Sequence, residues 1–452
     1  MKYRVLLVNP WITDFTAYDL WIKPIGLLYI ASILKKWDVA EICFIDCLDT
    51  NHPQIPEKYR RKKENGTSKF FSSEIEKPET LKDVPKKFKI FGKPIEIFED
   101  ELEKTGKIDA VFITSFMTYW YPGVQLAVEK IREKYGSVPI ILGGIYPTLM
   151  PEHAKKESGA DVIVEGEGEN QIGKILNEVL AIKRDFENFE NIDSYPYPDF
   201  SVISNRQSLP FLTSRGCPFR CTYCASSIVS GKFRERSVEK CIEELVYIKD
   251  NFGTKNIAFY DDALLINPEK RIKPLMRKII ENSFNFHFHT PNGLWIKEID
   301  EEIAMLMKKC NFKTIRLSLE GTNSEFFRKT NSEHKTANLK ETVSFFEKAG
   351  YRKSEIEVYI LIGLPYQEFE EVSDSLNYAK ECGVKVRFSY FSPIPKTIEW
   401  KNMVKEGLIK ENSDPLLHNK ILFPYLWSKI TPEKLGLLKN IQREINSSLS
   451  SK

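Results

Sequence analysis

Three cysteines carry the most specific chemical signal in this chain. Cys217, Cys221 and Cys224 are separated by three and then two intervening residues, in a loop reading Thr-Ser-Arg-Gly-Cys-Pro-Phe-Arg-Cys-Thr-Tyr-Cys-Ala-Ser-Ser over residues 213–227. Thiolates are ligands for soft metal centres, and so short a loop can bring three of them to one centre. Three thiolates cannot complete a structural zinc site, which takes four ligands. They suit a cubane iron–sulfur cluster that keeps one iron without a protein ligand, open to a guest. The other five cysteines, Cys43, Cys47, Cys241, Cys310 and Cys382, are dispersed or lie in apolar strand context and read as buried, inert thiols. A clustered trio within an ordinary cysteine count points to a metal centre in a reducing compartment, not to a disulfide scaffold. His287 and His289 share one face of a short strand and could ligate a metal, contact substrate or simply pack.

The cysteine loop follows the first of six strand–helix units, with strands expected at 209–213, 256–260, 285–290, 314–320, 355–362 and 385–391. Helices are expected at 238–250, 268–282, 300–309, 335–349 and 369–382, with a further one at 432–449. Six such units predict a partial parallel (β/α)6 barrel of the TIM type, whose active site sits at the carboxyl ends of the strands. Alternation along the later strands sends Ile315, Leu317, Leu319, Ile356, Val358, Ile360 and Ile362 towards the helices. The opposite set, Arg316, Ser318, Glu320, Glu357, Tyr359, Arg387 and Ser389, then points inward. A chamber for a polar ligand and an interior salt-bridge network are both consistent with that set.

Upstream, strand signals at 4–8, 42–46, 110–114, 139–142 and 162–165 alternate with helix signals at 25–36, 97–104, 124–135, 151–158 and 171–182. That order predicts a doubly wound, flavodoxin-like (Rossmann-type) α/β domain, with its ligand crevice at the carboxyl ends of the strands. Gly143, Gly144 and Gly166 lie at such ends and permit either a close ligand or a tight turn. The expected division is 1–183 for this domain, 184–207 for a linker, 208–397 for the barrel and 398–452 for a helical C-terminal region. An excursion at 52–93, rich in Lys, Glu and Pro, reads as a cover or a mobile insert. Its basic run at 58–63 reads as a solvated face.

Composition narrows the class. At 452 residues, with 42% hydrophobic and 29% charged residues, the chain has core enough for two or three globular domains. A net charge of +3 gives no sign of a polyanionic partner; composition points to no clear nucleic-acid partner and leaves only binding through a local patch. The apolar stretch at 5–8 is too short for a secretion signal. The run at 25–34 falls short of the roughly 18 residues of a membrane span. A cytoplasmic protein is expected.

Taken together, these segments resemble the cobalamin-binding radical S-adenosylmethionine (SAM) enzymes. The cysteine loop, with Tyr223 before its last cysteine, matches the radical SAM cluster signature. Residues 259–263 (Phe-Tyr-Asp-Asp-Ala), 317–321 (Leu-Ser-Leu-Glu-Gly) and 359–365 with Glu368 resemble the family's SAM-binding strand ends. Residues 23–31, 143–148 and 160–168 resemble its cobalamin-domain segments, and the likeness runs from about residue 1 to 397. The Asp-x-His-x-x-Gly signature that gives cobalt a histidine ligand is absent; Asn9, Pro10, Trp11, Ile12 and Thr13 stand there instead. The radical SAM branch usually lacks that signature, so the resemblance implies cobalamin without a histidine on cobalt.

The resemblance implies three cofactors and assigns residues to them. Cys217, Cys221 and Cys224 would hold a 4Fe-4S cluster. SAM would meet Tyr260, Asp261, Asp262, Ser318, Glu320 and Gly363, with Asp261 on the methionine amine and Glu320 on the ribose. Cobalamin would meet Trp11, Thr114, Ser115, Gly143, Gly144, Gly166 and Glu167. A substrate chamber would use His287, His289, Arg316, Glu357, Tyr359 and Arg387. The implied chemistry is one-electron cleavage of SAM to a 5′-deoxyadenosyl radical, then methylation of an unactivated carbon from cobalamin. The alternatives are a cobalamin-assisted rearrangement or cyclisation, and a non-catalytic Fe-S/corrinoid sensor. The enzymatic readings require a small-molecule or peptide substrate and a low-potential electron donor such as ferredoxin or flavodoxin.

Overall fold

The computed structural model describes residues 2–60, 63–333 and 338–450. The chain forms two compact units: Met1–Leu209 with Asp414–Leu417, and Pro210–Ser413 with His418–Lys452.

In the first unit, β1 (Tyr3–Asn9), β3 (Ala40–Asp46), β6 (Ala110–Ile113), β7 (Ile140–Leu142) and β8 (Val162–Ile163) form one parallel sheet ordered β3-β1-β6-β7-β8. Leu6 and Val8 of β1 pack with Phe98, Val124 and Ile131 from the helices Ile95–Thr105 and Tyr121–Tyr135. Val5 and Leu7 point to the other face and are equally buried. Both faces are therefore covered, as parallel strands with near-continuous apolar runs require. The order reverses between β1 and β6, and that reversal is where doubly wound sheets place their ligands.

The excursion at 52–93 is structured. Its β4 (Ser72–Glu74) and β5 (Lys89–Phe91) join β2 (Ile12–Asp14) in an antiparallel sheet ordered β2-β5-β4. Ile12, Phe70 and Phe91 bury against Leu48, Tyr119 and Trp120, residues that follow β3 and β6. The small sheet is thus packed against loops at the carboxyl edge of the main one. In the basic run at 58–63, residues 61 and 62 lie outside the described residues; the helical turn Glu57–Arg60 just before them buries nothing.

Residues 184–207 lack a sustained period but do not hang free. Phe186 and Phe189 lie 4.5 and 6.1 Å from the Trp37 ring, and the Asp199 amide donates to Leu28 O at 3.0 Å. The segment belongs to the first unit because its aromatics pin it there.

In the second unit, β9 (Ser208–Phe211), β12 (Asn256–Phe259), β13 (His287–His289), β14 (Phe312–Glu320), β15 (Ile356–Ile362) and β16 (Lys385–Tyr390) are ordered consecutively, as a partial barrel demands. A two-stranded ribbon, β10 (Ser214–Arg215) with β11 (Arg234–Glu235), carries the cysteine loop. Ile315, Leu317, Val358, Ile360 and Ile362 are buried, as the alternation required. The helix expected at 335–349 runs over Leu339–Lys348; residues 335–337 lie outside the described residues.

The C-terminal region is no appendage. Helix Pro432–Ser450 packs on β16, where Asn446 accepts from Val386 N (2.8 Å) and donates to Val386 O (2.9 Å). Those side-chain bonds seal backbone groups that an edge strand would otherwise expose. Among the described residues, no helix is long and apolar enough to cross a membrane.

Candidate active site

The cysteine loop is held at its entry by a buried carboxylate. Asp261 accepts from Thr213 N (3.1 Å), Thr213 Oγ1 (2.6 Å) and Ser214 Oγ (2.5 Å), and Arg271 lies 3.5 Å away. Arg271 also donates to Thr213 Oγ1 and, at 2.6 Å, to Leu264 O. Asp261 is buried, and these bonds make it a brace between the segments that follow β9 and β12. At the exit, Ser226 Oγ donates to the exposed Asp262 at 2.5 Å.

Between these ends Cys217 is half-buried, Cys221 buried and Cys224 exposed, and no disulfide joins any of the eight cysteines. The Cys224 amide donates to Cys221 O at 3.1 Å, and the Ser226 amide to Cys224 Sγ at 3.5 Å. An N–H aimed at sulfur favours the thiolate that a metal requires. Three thiols on one braced loop, at the end of the first barrel strand, fit a 4Fe-4S cluster. Tyr223 connects the loop to β14: burial, then the Glu320 carboxylate, pushes its phenol well above the ordinary value.

Glu320 sits at a break in register between Ser318 and Glu320 on β14, with φ of +62°. A non-glycine residue in that region is strained, and such strain concentrates where a side chain must be aimed. Ser318 Oγ donates to Glu320 Oε1 at 2.5 Å. Tyr260 is half-buried, and Asn292 donates to the carbonyls of Tyr260 (3.2 Å) and Asp261 (3.0 Å). Sequence reasoning missed Asn292; a lone loop asparagine gives no signal. Gly363 is closely packed. A Cβ there would lie 2.7 Å from the Phe423 ring; the Gly363 N–H donates to Gln367 Oε1 (2.9 Å), and its carbonyl accepts from Trp427 Nε1 (3.1 Å). The C-terminal segment demands glycine at this position.

The expected chamber residues divide. Glu357 meets Arg316 Nε at 3.1 Å and Arg387 Nη2 at 3.0 Å. Burial raises the Glu357 carboxyl, but Arg387 and Arg316 outweigh that and hold it below the ordinary range. The salt-bridge alternative is therefore realised, and Tyr359 completes it by donating to Pro291 O at 2.9 Å. Arg387 remains partly exposed and His287 half-buried. His289 is fully buried and meets Thr314 Oγ1 (2.8 Å) and Asn256 Oδ1 (2.9 Å) through its two ring nitrogens. Burial, with His287 and Arg316 nearby, lowers its pKa to about 3. It is a neutral cross-strand tie.

At the first unit's sheet reversal, Trp11 is buried in the main core, edge-on to Phe98 at 4.8 Å, with Nε1 donating to Lys93 O at 2.7 Å. Gly144 has φ of +102°, and a Cβ would lie 2.3 Å from Ser115 O. Its lack of a side chain thus lets the β6 and β7 loops touch. Ser115 Oγ donates to Gly143 O at 3.3 Å. Thr148, unforeseen as a site residue, donates to Gly144 O (2.7 Å) and accepts from Gly166 N (2.8 Å), tying the next loop in. Thr114 is half-buried, and Glu167 O accepts from Gln171 Nε2 at 2.8 Å. Tyr18, Leu20 and Met117 are exposed on the loops after β2 and β6, and the buried Asn9 Oδ1 at the end of β1 has no hydrogen-bond partner. An apolar rim and an unsatisfied acceptor at the reversal fit a large, flat, amide-bearing ligand such as cobalamin.

Two family models match the chain: the radical SAM superfamily over residues 211–390 and the B12 binding domain over residues 89–176. An uncharacterized methyltransferase of Pyrococcus horikoshii is 26% identical over 67% of this chain and 70% of its own length. A second, from Synechocystis, is 24% identical over 66% of this chain; the match covers 57% of that protein. Among solved structures, the radical S-adenosylmethionine methyltransferase TsrM from Kitasatospora setae superposes with a TM-score of 0.69. It is 13% identical, over 98% of this chain and 89% of that one. With a B12 binding domain preceding a radical SAM domain, the chain belongs to the cobalamin-binding radical SAM enzymes.

Proposed function

We propose that this chain is a cobalamin-dependent radical SAM methyltransferase that acts on an unactivated carbon. The observation that carries the reading is the braced three-cysteine loop at the end of the first barrel strand, in a chain that also holds a B12 binding domain. In this family the cluster and SAM supply a hydrogen-abstracting radical, and cobalamin supplies the methyl group. Of the two relatives described above, both are named as methyltransferases.

The residues divide the labour. Cys217, Cys221 and Cys224 hold the cluster. Ser318 and Glu320 offer oxygens to hydroxyl groups of SAM, and Tyr260 and Asp262 flank the methionine end. Arg387, the more exposed arginine beside Glu357, is placed for an anionic substrate group. Thr114, Ser115, Gly143, Gly166 and Glu167 line the cobalamin edge mainly through backbone. The domain reading follows: 1–183 for cobalamin, 208–397 for the radical chemistry. A low-potential donor such as ferredoxin or flavodoxin would reduce the cluster, and a cytoplasmic setting goes with that reading.

The test is turnover. Anaerobically reconstituted, reduced protein given SAM should release 5′-deoxyadenosine, and a converted substrate should gain one methylene in mass. Persistent failure to cleave SAM would favour a sensor, whereas a product of unchanged carbon count would indicate cyclisation or rearrangement.

A further inference from the structure

We infer that Glu399 is a positioning residue for the cluster loop, acting on it through Thr222. This inference rests on the reading of Cys217–Cys224 as cluster ligands. The loop's entry and exit are braced within the matched radical SAM span, but its middle is held on one side from outside it. Thr222 lies between the second and third cysteines and is buried. Its Oγ1 donates to Glu399 Oε2 at 3.3 Å, and its carbonyl accepts from the Glu399 amide at 2.9 Å. Glu399 opens the helix Ile398–Lys405, beyond residue 390 where the superfamily match ends, and is 2% exposed. Thr397 Oγ1 caps that helix by accepting from Trp400 N at 3.1 Å, which fixes where Glu399 begins.

On the opposite side, Thr222 N donates to Thr330 O at 2.9 Å, and Asn331 Nδ2 donates to Arg220 O at 2.9 Å. The loop's middle is thus clamped between the segment after β14 and the helix after β16. A carboxylate buried to this degree is expensive unless it is bonded. Holding Cys221 and Cys224 in register is a function that accounts for it. Support of this kind sets both the retention and the electronic environment of a metal centre.

The test uses full-length chain reconstituted anaerobically with iron and sulfide, comparing wild type with Glu399→Ala, Glu399→Gln and Thr222→Val. Glu399→Ala and Thr222→Val should lose iron to a chelator about tenfold faster than wild type, the size of one lost buried hydrogen bond. Their reduced clusters should show shifted or broadened electron paramagnetic resonance signals, both alone and with SAM. Glu399→Gln keeps an acceptor oxygen and should stay within about twofold of wild type in rate, with an unchanged spectrum. Wild-type retention and spectra in both Glu399→Ala and Thr222→Val would overturn the inference. Should Glu399→Ala fail to fold, Thr222→Val decides alone, since it changes one hydroxyl to a methyl. A wild-type chain that takes up no cluster would overturn the cysteine reading as well; a loaded wild type with indifferent variants overturns only this inference.

Discussion

The two units each present a row of strand ends, and those rows are built on opposite plans. At the barrel edge, reactive side chains lie on a loop, and buried polar groups hold it: Asp261 and Arg271 at the entry, Glu399 at the middle. At the edge of the first unit, backbone meets backbone, with Ser115 against Gly144 and Thr148 joining Gly144 to Gly166. A cluster needs particular atoms at particular places. A corrinoid needs a surface of the right shape with scattered hydrogen bonds. The first kind of site should therefore break at single side chains, and the second should tolerate them.

The largest effect tests that contrast outright. Replacing Cys217, Cys221 or Cys224 by Ala should abolish the cluster, measured as iron content, and with it 5′-deoxyadenosine formation. No single replacement of Thr114, Ser115 or Glu167 by Ala should change corrinoid content more than severalfold. Loss of the corrinoid from one such replacement would mean that the first edge also depends on one side chain.

Asp261→Ala comes next and separates a brace from a ligand. Removing one partner of a buried ionic cluster costs about 3–5 kcal/mol, so the denaturation midpoint should fall steeply. A folded variant of normal stability with only a raised KM for SAM would restore the ligand reading. Trp11→Ala should likewise cost about 3–5 kcal/mol, as a core truncation does. Trp11→Phe should keep the corrinoid, since the indole faces the core.

The six barrel strands, the doubly wound sheet and the cysteine loop could be read because period-two apolar patterns and thiol spacing are local signals. The structural partners of Trp11, Asp261, His289 and Gly363 could not, for one shared reason. Each stands at or near a strand end where ligands bind, yet each is consumed by a partner distant in sequence: Lys93, Thr213, Asn256 and Trp427 respectively. Nothing in a linear pattern announces such pairings. Thr222 and Glu399, 177 residues apart, were invisible for the same reason. The small sheet β2-β5-β4 was missed because its strands are only three residues long and two of them, β2 and β4, are largely polar in sequence.

The smallest effect concerns pH. His289 is neutral in the folded chain and is held to about pKa 3, below the ordinary histidine value of about 6.5. The unfolded chain binds that proton first, so stability is full above pH about 6.5 and falls as pH drops towards 3. The contribution is at most about 1.4 kcal/mol per pH unit within that window. His289→Gln should flatten the slope by about one proton relative to wild type, measured by denaturant unfolding at successive pH values. An unchanged slope would place His289 in contact with solvent.

The most direct measurement is cofactor content. Anaerobic reconstitution with iron, sulfide and hydroxocobalamin, followed by iron counting and optical spectra, should give four irons and one corrinoid per chain. Four irons with no corrinoid would contradict the proposed methyl transfer while leaving the cysteine loop as the site of radical SAM chemistry.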